Sequence, residues 1–168
     1  TAFLAVWLLI GCGGEEEPSF NEELHDELVG MLAEDQQERT GAGGLDDTAR
    51  TERLKEIVAE HGWPTISLVG EDGEDAAWAI AQHADHDPQF QEEALELLGE
   101  AVADGEASPG NLAYLTDRVA MGRGEPQTYG TQMGCTPDGP QAAPIADEAG
   151  VDARRAEVGL GPLADYLA

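Results

Sequence analysis

Positive charge is scarce in this chain of 168 residues: 8 basic side chains, of which Lys55 is the one lysine, stand against 35 acidic ones, for a net charge of −27. A phosphate-backbone binder is excluded on that count, because nucleic acid would meet a surface of its own sign. No polybasic patch exists for an anionic lipid surface either. Cysteine is almost as rare, with only Cys12 and Cys135. They form no CxxC and no Cys/His zinc spacing, so neither a disulfide framework nor a structural zinc site is supported. The G-x-S-x-G elbow, the P-loop, G-x-G-x-x-G and H-E-x-x-H are all missing. Carboxylates are so abundant that any two of them, nominated as a glycosidase pair, would carry no weight. The acids are spread along the whole chain rather than held in a tail, which fits solubility or a salt-rich habitat; attraction of cations is the weaker alternative.

What is present begins with an address. Residues 1–11, TAFLAVWLLIG, are uncharged and apolar. As a helix they would rise about 16 Å, roughly half the hydrocarbon core, so they do not span a membrane. They match the apolar core of a secretory signal peptide. The run leads into Leu9-Ile10-Gly11-Cys12, which is similar to a bacterial lipobox, in which the cysteine is acylated and becomes the first mature residue. Cys12 is therefore the expected lipid anchor, and the expected location is the cell envelope, on a bacterial membrane facing periplasm or exterior. The chain opens on Thr1 without a positively charged segment, so the lipoprotein signal is expected to be truncated. The competing reading is an ordinary buried apolar segment with an incidental cysteine. Residues 12–18 then serve as an acidic tether, and residues 19–168 as one domain, a size that suits a single core. Cys135, in the turn-rich GCTPDGP, is expected as a free thiol on a loop, with no base or cation beside it to make it a nucleophile.

The fold class expected is mainly α: a single compact domain of about six helices with a small C-terminal β-hairpin. Ser19-Phe20-Asn21-Glu22 has the form of a capping box, and Phe20, Leu24, Leu28, Met31 and Leu32 follow at helical spacing. A second helix is predicted from about Asp47 to His61, stopped by Gly62. Trp63-Pro64 forces extended backbone, and Ile66 and Leu68 alternate before a turn at Gly70–Gly73. An alanine-rich helix is predicted over about Glu74–His86. Asp87-Pro88 and Ser108-Pro109 each read as an N-cap followed by proline at the first helical position, opening two more helices. Gln127–Met133 alternates like a strand, Pro137-Asp138-Gly139 reads as a turn, and Val151–Val158 as a last helix followed by an apolar turn at Pro162–Leu167.

Polar residues interrupt these apolar faces. Gln82-His83-Ala84-Asp85-His86-Asp87 invites a metal reading, but on a helix His83 and Asp85 would lie about 160° apart and could not chelate one ion. His83 and Asp87 share a side, yet Asp87 is the natural cap of the next helix and His86 faces outward. A half-buried, hydrogen-bonded His83 is the structural reading beside the functional one. Asp35 and Arg39 continue an apolar stripe with opposite charges, as an ion pair would. Tyr114, Asp117 and Arg118 stand off the stripe of Leu112, Leu115 and Val119, and Tyr129-Gly130-Thr131-Gln132 adds hydrogen-bonding groups. Together they point to one shared polar cleft.

These same stretches carry a resemblance. Asp35-Gln36 with Arg39, HGWP at His61–Pro64, LVGEDG at Leu68–Gly73 and AAW at Ala76–Trp78 resemble an uncharacterised bacterial family, the domain of unknown function numbered 6624. So do QHADHDPQFQ at Gln82–Gln91, LAYLTDRV at Leu112–Val119, PQTYGTQ at Pro126–Gln132 and VDARRAEVGLGPLADYL at Val151–Leu167. The likeness covers about residues 20–168. It implies a shared fold and a shared polar site formed by Asp35, Arg39, His83, Asp85, Asp87, Asp117, Arg118, Tyr129 and Gln132, and it implies no activity. The functional expectation is a lipid-anchored envelope protein whose helical domain binds a small polar ligand or a partner protein, with Asp35, Arg39, Asp87, Arg118, Tyr129 and Gln132 as recognition groups. The alternative is a hydrolase, with His83 as general base and Asp85 or Asp117 orienting it or holding a cation. Whether a metal or any other cofactor takes part is left open.

Overall fold

An alanine-rich segment apolar on nearly every face has to be buried, and this chain builds its domain around Ala76–Ala84. The computed structural model describes residues 19–41, 46–136 and 139–167. The apolar run 1–11, Cys12, the tether and the Pro137-Asp138 turn lie outside the described residues. Among the described residues there are seven helices and one two-stranded sheet: α1 (Glu22–Thr40), α2 (Asp47–His61), α3 (Ile66–Gln82), α4 (Pro88–Ala103), α5 (Pro109–Gly122), β1 (Met133–Thr136), β2 (Gly139–Ala142), α6 (Val151–Glu157) and α7 (Leu163–Tyr166). The mainly helical fold with its hairpin is as expected. Among the described residues, no helix is long and apolar enough to cross a membrane.

Helix α3 is the centre. Ala76, Ala77, Ala81 and Ala84 are fully buried, and α1, α2, α4 and α5 all pack against this helix. Around it Leu28, Leu54, Ile57, Val69, Ile80, Phe90, Leu98 and Leu115 close a single core. α1 and α2 form an antiparallel hairpin, with Glu27 bonded to Arg53 and Arg39 to Asp47. α5 runs parallel to α3: Asn111 bonds Glu74 and Asp75, the Tyr114 ring stacks edge-on against Trp78 at 5.7 Å, and Arg118 bonds Asp85.

Local signals held where the cap sits beside its helix. Asp87 and Ser108 accept from Phe90 N and Asn111 N, with proline at the first helical position in both cases. Gly62, at φ 74°, stops α2 and donates to Val58 O at 2.9 Å. Four expectations are corrected. The cap of α1 is Asn21, not Ser19, and its side chain accepts from Leu24 N. Ile66–Val69 is a helical turn rather than extended chain, because Glu106 binds the Ser67 amide and hydroxyl at 2.8 and 2.6 Å. Gly70, at φ 78°, then kinks the chain into the rest of α3, where an added Cβ would meet Asp72 and the Phe20 ring. The alanine-rich helix stops at Gln82, not His86, because Gln91 of α4 donates to the Ala81 and Gln82 carbonyls at 3.3 and 3.2 Å and takes over the helix end. Finally, the strand is Met133–Thr136 and includes Cys135, which is therefore not on a loop. Gln127 makes only an isolated parallel bridge to Ile145, and the residues between follow a path held by side chains.

Glu74 lies inside this core at 1 % exposure, accepting from Trp63 Nε1 at 3.4 Å and Asn111 Nδ2 at 3.1 Å. Burial pushes its carboxyl up to about 7, against the pull of those hydrogen bonds. The unfolded chain releases this proton near the ordinary glutamate value of about 4.3, while the folded protein still holds it. Stability from this group is therefore complete below that value and is lost as pH rises toward about 7. Urea unfolding at a series of pH values is expected to show a decline on the order of 3 kcal/mol across this window, and Glu74→Gln is expected to flatten it.

Candidate functional site

Three polar residues of one short turn reach three different helices. His83 Nδ1 meets Asp35 of α1 at 3.2 Å. Asp85 accepts from Arg118 Nε of α5 at 2.8 Å and also from Arg118 Nη2. Asp87 caps α4 and accepts from Lys55 Nζ of α2 at 3.0 Å. Six of the nine residues expected to share one cleft thus fall into two sets, Asp35–Arg39–His83 and Asp85–Arg118–Gln132, joined through the turn that links α3 to α4.

In the first set, Asp35 is 1 % exposed and accepts from Arg39 Nε at 3.0 and 3.1 Å and from Gln36 Nε2 at 2.9 Å. Burial alone would raise its carboxyl. The Arg39 hydrogen bond and the charges of His83, Arg39 and Arg50 outweigh this and hold it below the usual carboxylate range. Burial lowers the half-buried His83 imidazole, and the pull of Asp35 does not restore it. A neutral ring beside an ionised carboxylate must carry its proton on Nδ1 and donate it to Asp35. Arg39 and Arg50 continue outward to Asp47 and Glu38.

In the second set, Arg118 bridges Asp85 and Gln132, giving Nη1 to Gln132 Oε1 at 3.2 Å. Gln132 in turn donates to the Tyr114 carbonyl and to Thr131 Oγ1. Beside this chain a cleft of about 330 Å³ opens between the start of α4 and the end of α5, lined by Asp85, Gln91, Glu92, Arg118, Met121 and Arg123 among others.

Asp117, 0 % exposed, is engaged elsewhere. It accepts from the amides of Thr128, Tyr129 and Thr131 at 2.7, 3.0 and 2.9 Å and from Thr131 Oγ1 at 2.9 Å. The carbonyls of the same loop are held from the other side. Arg154 bonds Thr128 O, Arg155 bonds Tyr129 O, and the Tyr166 hydroxyl bonds Thr131 O. Tyr129 contributes its backbone to this lock. Gly130, at φ 68°, lies so close to Ile145 that a Cβ would come within 2.7 Å of it.

His83 therefore pairs with Asp35, whereas Asp85 bonds Arg118 and Asp117 bonds the loop at residues 128–131. His83, Asp85 and Asp87 diverge, so they are not the ligands of one ion, and among the described residues no group of three or more His, Cys, Asp or Glu is placed to hold a metal. Sequence reasoning missed Gln91, Gln127 and Arg155 as builders of the site. Gln127 is fully buried and exchanges bonds with the backbone of Gln132 at both ends of its amide. The repeated glutamines of PQTYGTQ were the available signal. Asp117→Ala would strand four donors, two partly buried and two, on Thr131, fully buried, and is expected to cost roughly 3–5 kcal/mol. Asp87→Ala removes a partly solvated cap and is expected to cost about 1 kcal/mol. Denaturant titration of both variants reads the difference.

Comparison with known proteins gives one positive result. No curated protein and no solved structure matches the chain. A family model does match, over residues 25–168, which takes in all but the first turn of α1, every later helix and both sets of polar residues. The chain belongs to the family of unknown function DUF6624.

Proposed function

We propose that this is a lipid-anchored envelope protein whose helical domain is a binding module for a small polar ligand. The observation that carries the binding reading is the Asp85–Arg118–Gln132 chain at the cleft between α4 and α5. Its polar groups are held in place by neighbours before any ligand arrives, and the cleft's volume is at the lower end of small-molecule sites. Charge narrows the ligand. Arg118 and Arg123, the cations of the cleft, are paired with Asp85 and Glu92, and the net charge is −27. An anion would have to displace a carboxylate and approach against that field, so the ligand is neutral or cationic. The anchor rests on the lipobox-like Leu9-Ile10-Gly11-Cys12 and the acidic tether after it.

One observation favours the hydrolase alternative. Asp35 orients His83 in the manner of a general base, with Nδ1 occupied and the ring held neutral, and Nε2 has no hydrogen-bond partner among the described residues. Under that reading Asp35 takes the orienting role that the sequence assigned to Asp85 or Asp117.

Fractionation of expressing cells tests the anchor: Cys12→Ala is expected to move the protein from the membrane to the soluble fraction. A thermal-shift screen of neutral and cationic polar compounds tests the module. Arg118→Ala is expected to weaken any hit by about tenfold or more. A hit consumed during the assay, and spared in His83→Asn, would instead establish the hydrolase.

A further inference from the structure

The charges of the cleft between α4 and α5 are sorted by wall. Arg118 in α5 and Arg123 at its C-cap form one side, and Asp85 and Glu92, in the turn before α4 and in α4 itself, form the other. Two ion pairs cross between the walls, Arg118 to Asp85 and Arg123 to Glu92. Arg118 and Arg123 are five residues apart, about 7.5 Å along the axis of α5. Val119, Met121 and Gly122 line the interval, and Met121 is 40 % exposed. The interval has room, because a Cβ added to Gly122 would meet no other atom within 4 Å.

The two bridges are not alike. Arg118 gives Asp85 two hydrogen bonds and Gln132 a third, and Gln91 also donates to Asp85, at 3.2 Å. That bridge is the fixed end of the cleft. Arg123 gives Glu92 a single hydrogen bond from Nε at 2.8 Å, and the two side chains are 49 % and 45 % exposed. An ion pair so exposed adds little to stability, so a ligand can replace either partner at small cost.

The replacement has to leave no charge stranded. An anion on Arg123 would release Glu92 into a field that is already strongly negative, and a cation on Glu92 would release Arg123. A zwitterion satisfies both groups and adds no net charge, and its dipole lies along the field between the walls. Pro88, Val119 and Met121 leave an apolar surface for its remaining substituent. We propose that the cleft takes an α-amino acid with an apolar side chain, its carboxylate on Arg123, its ammonium on Glu92 and its side chain on Met121. The inference rests on the binding-module reading and adds the ligand's chemical class and the residues that select it.

The test is calorimetric titration of the chain with leucine, with leucinamide, which lacks the carboxylate, and with N-acetylleucine, which lacks the ammonium. Leucine is expected to bind, each blocked analogue at least tenfold more weakly, and Arg123→Gln and Glu92→Gln are each expected to lose about tenfold in leucine affinity. Gly122→Phe places a ring in the open interval, so it is expected to keep the melting temperature and abolish leucine binding. If either blocked analogue binds as tightly as leucine, the site does not read a zwitterion and the proposal fails. If Gly122→Phe keeps both its melting temperature and its affinity, leucine binds elsewhere and the proposal fails. If leucine does not bind while the thermal-shift screen yields an Arg118-dependent hit, the amino-acid site fails and the module survives. If leucine does not bind and the screen also yields nothing, both readings fall.

Discussion

The turn from His83 to Asp87 is the joint on which the domain depends. Its three polar side chains bind α1, α5 and α2 in succession, and the carbonyls just before it are taken by Gln91 of α4. Five residues thereby fix the relative placement of every long helix around α3. Apolar packing alone would leave these helices free to slide by a side chain or so, because a core of alanine and leucine is tolerant of such shifts. Directional bonds from a single short segment remove that freedom. The arrangement also explains why the candidate site lies at this end of the bundle: the groups that could meet a ligand are carried by the elements that the turn aligns.

Electrostatics work under an unusual constraint here. With 8 cations for 35 acids, positive charge is allocated rather than abundant. Arg39, Arg50, Arg53, Lys55, Arg118, Arg123 and Arg154 each meet a carboxylate within the described residues. Arg155 is the exception. It is almost fully buried, bonds the Gly161 and Tyr129 carbonyls, and lies 5.2 Å from the Tyr166 ring centroid. Its partners are dipoles and a π face rather than an ion, so its role is to hold the backbone of the C-terminal segment against the loop at Tyr129. The exposed pairs contribute little individually to stability. Their effect is on what the surface will accept as a partner.

Much of the fold was legible because its signals are local. Asp87-Pro88, Ser108-Pro109 and Gly62 act within four residues of themselves, and the periodicity of α4 and α5 needs no distant partner. The misreadings share the opposite property. Ile66–Val69 is helical because of Glu106, 39 residues away from Ser67 along the chain. α3 ends early because Gln91 reaches back to it, and the loop after Pro126 is not a strand because Asp117 collects its amides. The site was legible as a set of residues but not as a wiring. Nothing in the spacing of QHADHDP says that His83 will meet Asp35, and the even scatter of acids hides Asp117 among thirty-four others.

The loop at residues 128–131 is held from two directions in sequence as well as in space. Its amides go to Asp117, 11 to 14 residues earlier, and its carbonyls to Arg154, Arg155 and Tyr166, 26 to 35 residues later. Closing the shorter segment loses less chain entropy, and its partners exist first as the polypeptide is made. The inner half of the lock can therefore assemble on a nascent chain before α6 and α7 are synthesised. The outer half closes later, and the α6–α7 segment acts as a seal over a loop already held from within.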